Sequence, residues 1–130
     1  MALSFYVLLL GWRRFGMVHL GRAGLTFAWK RHVSLGGLTI GIWLAGICLG
    51  LGVSWWTWKV VFITNGHYQV GLAMLPLMVF GLASGRVMDR RKARRRLLPL
   101  AHGLNNLVLV ALALVQLATG IGVIRDMILP

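Results

Sequence analysis

No glutamate occurs in this chain of 130 residues, and aspartate occurs only twice, at Asp89 and Asp126. That scarcity excludes acid–base chemistry by a pair of carboxylates, and it removes the mid-membrane acid that a proton pump usually needs. The single cysteine, Cys48, excludes an intrachain disulfide and any cysteine-based zinc cluster. In its apolar surroundings it reads as a small hydrophobe. No glycine-rich phosphate loop is present. Charge of any kind is scarce: 12% of residues carry it, where a soluble domain carries about a quarter. Hydrophobic residues make up 58% of the chain, and mean hydropathy is +0.80. A water-facing surface cannot be built from this composition. The length allows one domain. The stretch Ala2–Leu10 is apolar, but no basic region precedes it and no small-residue cleavage site follows it, so it does not read as a signal peptide. No repeat or low-complexity tract stands out beyond the basic cluster Arg91–Arg96.

What charge there is has one sign. The net charge of +12 suggests a nucleic-acid binder, but the distribution excludes one. Five of the 14 basic residues lie between Arg13 and Arg31 and seven between Arg86 and Arg96, with only Lys59 and Arg125 elsewhere. Long apolar runs separate the two blocks. Short loops rich in Lys and Arg stay in the cytoplasm and attract anionic lipid head groups. A bilayer core of about 30 Å takes about 20 apolar residues as helix. Residues 33–54, 67–85 and 99–124 meet that length. Residues 1–12 do not, and are read as a short first span, or the inner part of one that starts before Met1, ending at Trp12-Arg13-Arg14. The sequence therefore predicts an all-α membrane protein, a four-helix transmembrane bundle with three full spans and a short first one. Both basic loops are placed inside, and Trp55–Gly66 and the C-terminus outside. Trp55, Trp56, Trp58 and Tyr68 form the outer aromatic belt, and Trp12 and Trp29 the inner. Gly37 with Gly41, and Gly46 with Gly50, are read as close helix contacts, and Pro76 as a kink tolerated inside a bundle.

Four histidines are the groups left for chemistry. His32 begins the second span and His102 lies near the start of the fourth. Both spans run outward, so the two imidazoles share a depth near the inner surface. Imidazoles on separate helices of a four-helix bundle can take a haem iron from opposite faces. Such ligation leaves no open iron position and suits electron transfer. Lys30, Arg31 and Arg94 to Arg96 could meet the propionates, and Gly36, Gly37 and Gly103 clear space for the macrocycle. Two interfacial histidines at one depth are also what chance would supply. His67 begins the third span at the opposite surface, too far away to share that haem. His19 falls in the inner loop and reads as solvated.

The runs Lys30-Arg31-His32-Val33-Ser34-Leu35-Gly36, Gly66-His67-Tyr68-Gln69-Val70-Gly71-Leu72 and Pro99-Leu100-Ala101-His102-Gly103-Leu104-Asn105-Asn106 form a recognisable pattern. It resembles small four-helix bacterial membrane proteins of unknown function and, more distantly, the b-type cytochromes of the ascorbate-reducible and ferric-reductase class. The resemblance covers roughly residues 28 to 124. It implies four core helices that hold two haems, with ligands on helices one and three and on helices two and four. By position, His32 and His102 fall at the second and fourth helices and His67 at the third. The partner on the first helix is missing, so one haem b is expected. The implied setting is a bacterial inner membrane, with lipid, other subunits of a redox complex and a quinone as partners. The rival expectation is a non-catalytic structural or assembly subunit of a larger membrane complex, with or without a pigment held by one histidine.

Overall fold

The computed structural model describes residues 1–130 except Lys92, Arg94, Ile128 and Pro130. The chain forms four helices: α1 (Ala2–His19), α2 (Trp29–Trp58), α3 (Gly66–Arg90) and α4 (Leu97–Met127). No strand occurs among the described residues. Three helices, α2 to α4, are long and apolar enough to cross a membrane, and each of the expected full spans lies inside one of them. Neighbours in the chain run antiparallel. Backbone contacts join α1 to α2, α2 to α3, α3 to α4 and α4 back to α1. The diagonal pairs make none among the described residues, so α2 faces α4 across the bundle. This alternation brings both basic stretches to one end, here termed the basic end.

The bundle is sparsely filled. A small central cluster of Ile40, Met74, Met78, Leu109 and Ala113 holds it together. Many large apolar side chains are exposed, Leu49 at 70% and Leu97 at 82% among them. In water that surface would be prohibitive; in a bilayer it is the lipid contact. Trp56 is 80% exposed at the end opposite the basic one, with the Lys59 ammonium 5.3 Å from its ring centre. Lys59 closes α2 in the left-handed region (φ 56°). Helix α3 continues through Pro76 without a break in its 25 residues.

The structure adds two details to the sequence expectations. The first helix does not end at Trp12-Arg13-Arg14 but runs to His19. Basic residues mark where a helix leaves the apolar layer, not where it stops. Gly21 and Gly24, both at positive φ (59° and 80°), lie in the turn that follows. Contacts of Gly11 with His32 and of Gly36 with Val7 fix the register of α1 on α2. In that register Arg14 stands level with Trp29 and Phe15 to His19 project beyond the start of α2, while Ala2 stands level with about Gly41. Helix α1 thus flanks only the basic half of the bundle, and α2 rises about 25 Å further. Second, Gly37, Gly41, Gly46 and Gly50 do not form contacts between helices of this chain; a Cβ at any of them would meet open space.

Candidate functional site

The three histidines at helix starts are each held in the same manner. His32 on α2 donates its Nδ1–H to the Val7 carbonyl of α1 at 3.1 Å. His102 on α4 lies 2.8 Å through Nδ1 from Ser84 Oγ of α3. The one proton of Ser84 is committed to the Phe80 carbonyl at 2.6 Å, so Oγ accepts and His102 Nδ1–H donates. His67 on α3 lies 3.0 Å through Nδ1 from Thr119 Oγ1 of α4. Thr119 is likewise bonded back to the Val115 carbonyl, so the imidazole again donates. A neutral imidazole has one N–H. With Nδ1–H committed, each Nε2 carries an electron pair, which is the arrangement of a histidine prepared as a metal ligand.

A glycine lies beneath each ring. A Cβ at Gly11 would stand 3.3 Å from His32 Cε1, at Gly85 3.4 Å from His102 Cε1, and at Gly120 3.1 Å from His67 Cε1. The glycines singled out from sequence do not have this part. Gly36 meets Val7, and Gly37 and Gly103 face open space.

The two histidines at the basic end meet across the bundle. The ring centres of His32 and His102 are 6.3 Å apart, with the planes at 69°. An imidazole bound to iron through Nε2 holds its ring centre about 3 Å from the metal, so two axial rings stand about 6 Å apart. No group of three or more His, Cys, Asp or Glu side chains capable of holding a metal occurs among the described residues. The pair therefore suits a metal whose remaining ligands come with it, as in a macrocycle. Two further features fit haem. The Arg95 Nη1 is buried and has no hydrogen-bond partner, and a propionate would supply one. The helices carrying the two ligands lie on the bundle diagonal, without backbone contact among the described residues. One bond must be exchanged for ligation. His102 Nε2 now accepts from Asn106 Nδ2 at 2.9 Å, and that amide has to turn away. Arg31 reaches the Tyr6 hydroxyl at 3.3 Å from an exposed position, and Arg94 lies outside the described residues.

His67 is not part of this pair. It lies level with Thr119, about 25 Å along the bundle from Ser84 and His102. Its Nε2 accepts from Gln116 Nε2 at 3.2 Å. It borders an open groove of about 320 Å³ lined also by Leu117, Ile121, Val123 and Ile124. The described α1 begins about 20 Å short of this level. His19 ends α1, exposed and tilted at 30° against Phe15 with ring centres 4.9 Å apart.

The geometry also exposes a repeat that reading along the sequence misses. Histidine recurs at 32, 67 and 102, a period of 35 residues. The same period links Gly36, Gly71 and Asn106; Gly46, Gly81 and Gln116; and Gly50, Gly85 and Gly120. Between α3 and α4 it extends to Leu82-Ala83-Ser84-Gly85 and Leu117-Ala118-Thr119-Gly120. Antiparallel pairing of these two repeats sets the histidine of each on the hydroxyl–glycine step of the other. Asn106 fills the space at Gly81 (3.0 Å from its Cβ position), and Gln116 fills that at Gly71 (3.2 Å). The searchable signal was the 35-residue spacing of identical residues at helix starts and ends.

Comparison with protein-family models, with curated proteins and with solved structures finds no match.

Proposed function

We propose that the chain is a membrane b-type cytochrome, or the b-type subunit of a redox complex, with one haem between His32 and His102. The observation that carries this reading is the pair itself: two imidazoles from diagonal helices, ring centres 6.3 Å apart, each with Nδ1–H committed elsewhere. Haem bound there would supply one-electron carriage. The protein's part is to hold both rings, exclude water by its lipid-facing helices and meet the propionates with Arg95 and its basic neighbours. The likeness to ascorbate-reducible and ferric-reductase cytochromes belongs to this proposal, as do a quinone or redox-protein partner and a bacterial inner membrane with the basic end cytoplasmic. The clustering of twelve of the 14 basic residues in two sequence blocks supports the orientation.

One observation favours a second reading. The uncovered α2 glycines Gly37, Gly41, Gly46 and Gly50 would let a helix of another protein approach closely, as in a structural or assembly subunit, with or without a pigment on one histidine. A reduced-minus-oxidised visible spectrum of detergent-purified protein separates the readings. A sharp b-type band supports the cytochrome. Featureless absorption supports the assembly subunit, and a red-shifted magnesium macrocycle its pigment-binding form.

A further inference from the structure

We propose that Ser84 is a positioning residue for His102, fixing the tautomer in which Nε2 faces the haem iron; this rests on the haem reading above. Ser84 is 4% exposed on α3, and its hydroxyl lies between His102 and the carbonyls of Phe80 and, at 3.2 Å, Gly81. Its proton goes to the Phe80 carbonyl (2.6 Å), and its oxygen receives His102 Nδ1–H (2.8 Å). The adjacent Gly85 leaves room for the ring edge beside α3, with His102 Cε1 3.4 Å from the Cβ position. The imidazole is thereby set in direction and in tautomer. A ligand histidine so held presents a more basic nitrogen to the metal, and losing the orienting group typically weakens metal binding ten- to a hundredfold.

The other axial ligand has no such side chain. His32 is oriented by a backbone carbonyl, Val7 O, which no substitution removes. Control by a replaceable side chain therefore acts on the His102 side alone. The repeat supplies an internal precedent for the chemistry. Thr119 stands where Ser84 stands, 35 residues on, and receives His67 Nδ1–H with the same back-bonded hydroxyl. A threonine can thus do the work of Ser84.

Loss of the hydroxyl has a defined consequence. In Ser84→Ala, Nδ1–H would lie in a buried position without an acceptor. Moving the proton to Nε2 and turning the Asn106 amide so that Oδ1 accepts restores the pairing, because Asn106 Nδ2 already lies 2.9 Å from Nε2. That tautomer has no electron pair for iron.

The test compares wild type, Ser84→Ala, Ser84→Thr and Thr119→Val. In haem-free protein, ¹⁵N-histidine NMR reads the tautomer of His102. Protonated Nδ1 is expected in wild type, Ser84→Thr and Thr119→Val, and protonated Nε2 in Ser84→Ala. Haem titration should show binding weakened about ten- to a hundredfold in Ser84→Ala alone. Ser84→Thr should restore both affinity and midpoint potential, with far-ultraviolet circular dichroism showing equal helix content throughout. Haem binding and a His102 tautomer that are unchanged in Ser84→Ala would overturn the role of Ser84 and leave the haem reading standing. A wild-type protein that takes up no haem would overturn the haem reading, and the positioning role with it.

Discussion

Each histidine at a helix start touches a glycine and gives its Nδ1–H to an oxygen on the neighbouring helix. The tightest of the three glycine contacts is at Gly120, where a methyl group would stand 3.1 Å from His67 Cε1. Gly81 is tighter still, with a Cβ position 3.0 Å from Asn106 Oδ1 and 3.3 Å from Asn105 Nδ2 in buried surroundings. Neither neighbour can give easily, since Asn105 also donates to the Leu77 carbonyl at 3.0 Å. Gly81→Ala should therefore destabilise the α3–α4 pair by about 1–3 kcal/mol, read as a lower midpoint of thermal unfolding in detergent. Gly46→Ala, at the same repeat position on α2 but facing open space, should leave that midpoint nearly unchanged. The sequence made the histidines legible as candidates, because helix starts put His32 and His102 at one depth. It did not make their oxygen partners legible. Ser84 and Thr119 read as ordinary polar residues until the antiparallel register sets them beside an imidazole.

At the scale of elements, the three long helices could be read from length and hydropathy, since a bilayer requires both. The length of α1 could not. Arg13 and Arg14 look like an end, yet the backbone hydrogen bonds of a helix persist outside the apolar layer, and α1 continues past them to His19. The glycine pairs of α2 were legible as close-contact devices but not their partner, because none of the chain's own helices covers them. The proposed orientation rests on the basic loops, and labelling tests it. With the lone Cys48 replaced by alanine, Ala93→Cys should react only from the cytoplasmic side and Thr64→Cys only from the opposite side. The reverse pattern would invert the topology. The α3–α4 pair should also respond to Thr119→Val, which removes the oxygen that receives His67 Nδ1–H. Interhelical hydrogen bonds in membranes are worth about 0.6 kcal/mol on average, so a loss of that order in unfolding free energy is expected.

Taken whole, the molecule places most of its charge at one end, many of its large apolar side chains on its outer surface, and two of its histidines edge to face across a diagonal. The 35-residue repeat explains the α3–α4 part of this arrangement. A helix with histidine near its start and glycine 18 residues on, laid against an antiparallel copy, supplies both the ligand and the space for it. Its opposite-end version at His67 carries the same hydrogen bonds, with no second imidazole beside it among the described residues. The account therefore predicts one bis-histidine haem at the basic end. The most direct measurement is haem content and reduced-minus-oxidised spectrum of His32→Ala, His102→Ala and His67→Ala beside wild type. About one haem per chain is expected in wild type and His67→Ala, with loss of the b-type band in both other variants. A full band surviving in both His32→Ala and His102→Ala would contradict the account.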